Sequence, residues 1–96
     1  MTTKPAITIK YCVQCNWLLR AAWMAQELLN SFADELASVT LEPGTGGVYQ
    51  ITANEQVIWE RKRDGGFPDA AALKQRLCAL YFPDKTPAHG SHRKTP

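Results

Sequence analysis

Ala6-Ile7-Thr8-Ile9-Lys10-Tyr11 runs directly into Cys12-Val13-Gln14-Cys15. The first six residues are rich in β-branched side chains and alternate apolar with polar, the period of a half-buried strand. Beyond the cysteines the period changes. Leu18, Leu19, Ala22, Ala25, Leu28, Leu29 and Phe32 recur at spacings of three and four, and no Gly or Pro interrupts the run from Cys15 to Phe32. That pattern predicts an amphipathic helix starting near Cys15. The cysteine pair therefore falls where a strand hands over to a helix.

Outward from this junction, Ser38-Val39-Thr40-Leu41-Glu42 reads as a second strand, stopped by Pro43-Gly44-Thr45-Gly46-Gly47. Val48-Tyr49-Gln50-Ile51-Thr52 and Gln56 to Arg61 form strands three and four. The short turn Ala53-Asn54-Glu55 makes them an antiparallel hairpin. Arg61 to Phe67 is a polar, glycine-bearing loop. Pro68 and Asp69 open a second helix with Leu73, Leu77, Leu80 and Tyr81 on its apolar face. A helix between two parallel strands crosses over right-handed, and each helix has to cover an apolar sheet face. The expected fold is therefore α/β, in the order β-α-β-β-β-α. Its four-stranded mixed sheet has the strand order 2-1-3-4. One domain is expected over residues 1–83, with residues 84–96, polar and carrying two further prolines, as a disordered tail.

The chain has 96 residues, a net charge of +2, 45% hydrophobic and 21% charged residues. The apolar share is that of a globular protein. No stretch approaches the roughly 20 apolar residues of a membrane helix, and Met1 to Lys10 hold no apolar secretion-signal core. A charge of +2 does not demand a nucleic-acid partner. The expectation is a cytoplasmic protein without nucleic-acid or membrane partners. Its oligomeric state stays open.

Three cysteines, Cys12, Cys15 and Cys78, are too few for a disulfide-stapled secreted scaffold. In a reducing compartment a close pair is more often catalytic or metal-binding than structural. A helix N-terminus carries unpaired N–H groups and a partial positive charge, which favour a thiolate. With Cys12 as the N-cap, the N–H of Cys15 would point at its sulfur. Two intervening residues also let one sulfur attack a partner disulfide and the other resolve the mixed disulfide. Cys12 and Cys15 are the candidate catalytic residues. The spacing leaves open which one attacks, and also leaves open a redox-sensing binding module without turnover.

Other residues have a functional and a structural reading. Gly44, Gly46 and Gly47 are either a wall of the site or an ordinary turn. Gly65, Gly66 and Phe67 end the loop after strand four, with Phe67 either shielding the sulfurs or anchoring the second helix. Trp17, just past the motif, is expected to be exposed as a docking surface, Trp23 to lie in the core and Trp59 to pack on the sheet. Arg61, Lys62 and Arg63 either attract anionic partners or solvate a strand end. Cys78 reads as a small buried hydrophobe. His89 and His92 could join the cysteine pair as a Cys₂His₂ zinc site, though their spacing is shorter than usual.

Several motifs together resemble the selenoprotein W-like proteins, the Rdx group that also contains the selenoprotein T and H relatives. They are Tyr11-Cys12-Val13-Gln14-Cys15, Glu42-Pro43-Gly44-Thr45-Gly46-Gly47-Val48, Val57-Ile58-Trp59 and Asp64-Gly65-Gly66-Phe67-Pro68, within Ile7 to Phe82. The resemblance implies a thioredoxin-like fold and a thiol-dependent redox role. It makes protein or glutathione disulfides the partners, with glutathione as a co-substrate and no other cofactor. Selenium-containing members carry selenocysteine at the second motif position, so Cys15 marks a cysteine version. That precedent favours Cys15 as the attacking atom, whereas ordinary thioredoxins use the first cysteine. Ordinary thioredoxins also place a cis-proline before the strand facing the motif. Here Gly44-Thr45-Gly46-Gly47 occupies that approach. Gly46, Gly47, Gly66, Phe67 and Trp17 are the expected substrate-binding residues.

Overall fold

A computed structural model describes residues 4–84. Strand β1 (Ala6–Cys12) buries Ile7, Ile9 and Tyr11 in strict alternation. It continues through helix α1 (Leu18–Ser31) into β2 (Ser38–Gly44), then β3 (Tyr49–Ala53) and β4 (Gln56–Glu60). A one-turn helix α2 (Arg61–Asp64) and helix α3 (Ala70–Tyr81) complete the described chain. The sheet order is β2-β1-β3-β4, with β1 parallel to β2 and the other neighbours antiparallel. This is the expected topology. The tail expected from residue 84 lies, from residue 85 onward, outside the described residues, as do His89 and His92.

Both helices lie on one sheet face and share one core, in which Ile9, Ile51, Leu28 and Leu73 are fully buried. The other face carries the ladder partners Thr8, Thr40 and Thr52 beside Lys10, Glu42 and Gln50, none of them buried. Polar residues on this face remove any need for a second helical layer. In β4 the alternation breaks. Ile51 pairs with Trp59 but Thr52 with Val57, so Ile58 is an extra residue in a β-bulge. That bulge lets the neighbours Ile58 and Trp59 both be buried. Trp59 packs on the sheet as expected, and its Nε1 donates to the Gly66 carbonyl at 2.9 Å.

Several boundaries differ from the sequence expectation. Strand β2 runs on through Pro43 and Gly44, because an edge strand tolerates a proline that donates no ladder bond. The segment expected as a loop from Arg61 begins as helix α2. The Glu60 carboxylate accepts the Arg63 amide at 2.7 Å, and Asp64 Oδ2 accepts the Glu60 amide at 2.9 Å. This reciprocal capping holds a single turn, which Gly65 closes at φ +82°. Pro68 precedes the α3 cap rather than opening the helix. Asp69 is the cap and accepts the Ala72 amide at 2.8 Å.

The buried stripe of α1 also differs. Ala21, Met24, Ala25 and Leu28 face the sheet, with Phe32 at the C-cap, while Leu18, Leu19 and Leu29 are exposed. The helix carries two apolar stripes at the same period, and periodicity alone does not say which one the sheet takes. The sheet takes the stripe containing two alanines, which allows close helix approach. On α3, Leu73 and Leu77 are buried as expected and Leu80 is exposed. Cys78 is buried, in keeping with its reading as a small hydrophobe.

Sequence pattern gave no sign of Lys74, which is 1% exposed and pairs with Glu27 at 2.9 Å, tying α3 to α1. Removing one partner of a buried pair strands the other charge. Glu27→Ala should lower unfolding free energy by about 3 kcal/mol. Adding Lys74→Met should recover most of that loss, because the stranded charge is gone. Denaturant titration of the single and double variants checks this. Losses that simply add would show that the two side chains are not coupled.

Candidate functional site

The site is built where β1 ends. Cys12 is the last residue of β1 and stands opposite Gly44 of β2. Just beyond the ladder, the Val13 amide donates to the Gly44 carbonyl at 3.0 Å. The chain then turns through Val13–Asn16. The Asn16 amide donates to the Val13 carbonyl at 3.0 Å, and the Trp17 amide to the Cys12 carbonyl at 3.3 Å. Asn16 takes φ +62°, a left-handed conformation that asparagine tolerates better than most residues. Cys12 and Cys15 are joined as a disulfide with their Cα atoms 5.3 Å apart.

The helix does not begin at the cysteines. Its N-cap is Trp17, whose side chain makes no capping bond, and its first residue is Leu18. The expectation that Cys12 caps the helix is therefore corrected: the pair occupies a turn of its own ahead of α1. The physical reason is the left-handed Asn16, which interrupts helical geometry after Cys15. The two sulfurs also differ in access. Cys12 is 1% exposed, whereas Cys15 is only half-buried.

Trp17 and Trp23 exchange the places expected of them. Trp17 is half-buried and meets Phe67 edge-to-face, with ring centroids 4.8 Å apart. Trp23 is 48% exposed on the α1 face turned from the sheet. They stand six positions apart, so burying one leaves the other facing elsewhere. Phe67 also packs edge-to-face on Tyr49 at 5.1 Å and joins the periphery of the core. These contacts fasten Phe67 to the start of α1 and to β3. Tyr49 is fully buried, and burial pushes its phenol up to about 12, with Arg20 acting in the opposite direction.

Gly44 has a specific steric duty, since a Cβ there would lie 2.8 Å from the Val48 side chain. Gly46 and Gly47 take φ +73° and +74° and form the turn between β2 and β3. Gly46 borders open space. The Gly47 carbonyl accepts Arg61 Nε at 3.1 Å, and the Arg61 guanidinium lies over the Trp17 ring at 5.2 Å. The glycine loop and the segment after β4 thus both reach the motif through Trp17. Gly66, at φ +136°, is joined to Trp59 by its carbonyl.

Two features were not picked out from sequence. Arg20 lies 3.9 Å over the Phe67 ring, a cation–π contact. A groove of about 300 Å³ is lined by Tyr11, Val13, Asn16, Leu18 and Leu19, two of them from the cysteine turn. The apolar Val13, Leu18 and Leu19 close to Cys15 in the chain were the available signal. Of the basic run, Arg61 is held as described, Lys62 is exposed and Arg63 pairs with Asp64 at 2.9 Å. Among the described residues no group of three or more His, Cys, Asp or Glu is placed to hold a metal. No helix there is long and apolar enough to cross a membrane.

The Rdx family model matches residues 6–79. A crystal structure of a Bordetella parapertussis protein is 56% identical. It superposes with a TM-score of 0.79 and covers 81% of this chain and 99% of its own. A selenoprotein W-related protein from Vibrio cholerae is 53% identical, with a TM-score of 0.80, covering 82% of this chain and 99% of its own. No curated protein matches.

Asp64 organises α2, whose Arg61 reaches Trp17. The hydrogen bond from the Glu60 amide, helped by the guanidinium groups of Arg63 and Arg76, holds its carboxyl below the usual range. A depressed folded pKa means stability that is present above the unfolded value and lost as pH falls through the folded one. The wild-type melting temperature should therefore drop below about pH 4, and Asp64→Asn should lack that component. The gap between the two melting curves should be largest near neutrality and narrow in acid. A gap independent of pH would assign Asp64 no role through its charge.

Proposed function

The chain belongs to the Rdx family, and from that membership we propose that it is a thiol–disulfide exchange protein in which Cys15 meets the partner and Cys12 resolves. The observation that carries this reading is the unequal access of the two sulfurs, with Cys12 sealed at the strand end and Cys15 on the turn. Exchange requires the attacked or attacking sulfur to be reachable in line, so access selects Cys15.

In the reduced protein, the Cys15 thiolate attacks one sulfur of a partner disulfide. A Cys15–partner bond forms, the partner disulfide breaks, and its other sulfur leaves as a thiolate. Cys12, its proton passing to the departing partner thiolate, then attacks Cys15 Sγ and breaks the Cys15–partner bond. The Cys12–Cys15 disulfide forms and the second partner thiol is released. Two electrons pass from the protein dithiol to the partner, and an external thiol must return them. Run backwards, a thiolate partner attacks the more open Cys15 sulfur of the disulfide and expels Cys12. Glutathione and protein disulfides are the proposed partners, in a reducing cytoplasmic setting that keeps such a pair cycling. Trp17, Phe67, Gly46, Gly47 and Gly66 are the proposed substrate-binding residues, a reading supported by the Trp17–Phe67 ring contact and by Arg61, which joins Gly47 to the Trp17 ring. The apolar groove beside the motif also supports a second reading, a binding module whose affinity changes with the redox state of the pair.

Single-cysteine variants test the assignment. Cys12→Ser treated with oxidised glutathione should retain one glutathionyl group on Cys15, read by mass spectrometry of the intact chain and its peptides. Cys15→Ser, left with the sealed sulfur, should react roughly tenfold or more slowly. Faster trapping on Cys12 would reverse the roles. Trapping on neither would remove exchange chemistry and leave the binding module.

A further inference from the structure

Two surfaces leave the cysteine turn in different directions, and the proposed exchange chemistry does not explain either. One is the groove of about 300 Å³ walled by Tyr11, Val13, Asn16, Leu18 and Leu19. Its rim is unusually open for apolar side chains, with Val13 50%, Leu18 47% and Leu19 81% exposed. The other is the pair of guanidinium groups on the aromatic cluster, Arg20 over Phe67 and Arg61 over Trp17. Successive helical residues diverge by about 100°, so Leu18 and Arg20 leave α1 in nearly opposite directions. The reactive turn precedes both.

The charges separate these two arginines from the other basic side chains placed on carboxylates. Lys10 pairs with Glu42 and Lys74 with Glu27, while Arg63 and Arg76 share Asp64. Arg20 and Arg61 make no ion pair among the described residues, and their stacking on aromatic rings leaves guanidinium N–H groups available for a carboxylate. An apolar recess lined by Val13 and Asn16 of the cysteine turn, and two guanidinium groups without ion pairs on the ring cluster that Trp17 joins just after that turn, thus flank Cys15 along the chain.

We infer that the disulfides this site exchanges best are carried on polypeptide segments that present a large apolar side chain on one side of their cysteine and a carboxylate on the other. The inference rests on the exchange function proposed above and names its substrate class. The apolar side chain enters the groove between Val13 and Leu19, and the carboxylate meets Arg20 and Arg61. Glutathione supplies carboxylates but no apolar side chain to fill the groove, so it reacts more slowly than such a segment.

The test uses the reduced full chain and short peptides whose single cysteine is disulfide-bonded to thiopyridine. Attack on the peptide sulfur releases thiopyridone, whose absorbance gives the rate. Peptides with Leu and Glu flanking Cys are made in both orders, alongside versions with Leu replaced by Ser or Glu by Lys, and the glutathione–thiopyridine disulfide. Each rate is divided by that of the same protein with neutral dithiodipyridine. One Leu/Glu order should react about tenfold faster than its Ser or Lys counterpart and than the glutathione derivative. The Glu-to-Lys loss should shrink at high salt. The protein variant Leu19→Ser should erase the Leu/Ser difference, and Arg20→Gln should reduce the Glu/Lys difference. Equal rates for all peptides, or differences that persist in both variants, overturn the inference while leaving exchange intact. If Leu19→Ser alters only sedimentation, the groove joins two copies of this chain and the inference is likewise overturned. If no disulfide releases thiopyridone, the exchange reading falls, and the inference with it.

Discussion

Parallel pairing between β1 and β2 ends at Cys12 opposite Gly44, and the next bond, from the Val13 amide to the Gly44 carbonyl, fixes where the chain leaves the sheet. Everything at the site follows from that point of departure. A strand end buried in the sheet seals Cys12. A turn springing from it carries Cys15 outward, and left-handed Asn16 brings the chain round to start α1. The glycine at position 44 is part of the same constraint, because a Cβ there would lie 2.8 Å from the Val48 side chain. The asymmetry of the two sulfurs is thus a property of strand registry before it is a property of the cysteines.

A second tier of contacts holds the surroundings of that turn. Trp17, Phe67 and Tyr49 pack edge-to-face in series, with one ring from the start of α1, one from the loop after α2 and one from β3. Arg61 ties this stack to the turn between β2 and β3 through Gly47. Segments far apart in sequence are thereby locked around the motif by aromatic edges and guanidinium faces, with much of their surface still open to a partner. Opposite this side, the groove beneath Val13 and Leu19 is apolar and unfilled by the protein itself.

The strands were legible because their alternation is local and their turns carry Gly, Pro and Asn at the positions that need them. Strand order followed from chain connectivity, since a helical crossover places β2 beside β1 in parallel and a short turn makes β3 and β4 a hairpin that can add to the other side of β1. Helix content was legible for the same reason, but helix orientation was not. Leu18, Ala22 and Leu29 stand four and seven apart, a helical spacing like that of Ala21, Met24, Ala25 and Leu28, and only the sheet surface chooses between the two stripes. The exchange of places between Trp17 and Trp23 is one consequence of that choice. The α2 turn escaped notice because its stabilisation is two reciprocal side-chain bonds spanning Glu60 to Asp64, with no apolar stripe to announce it.

Sequence by itself determined the element order, the sheet topology, the family resemblance and the position of the cysteine pair between strand and helix. All of these are encoded by spacing along the chain. Tertiary structure alone decided that Cys12 is closed and Cys15 open, that Trp17 is packed and Trp23 is not, and that Lys74 is buried against Glu27. Each of these depends on which surfaces meet in space. Access, stacking and charge pairing are set by neighbours as much as 50 residues away, as Phe67 is from Trp17, and residue periodicity carries no record of them.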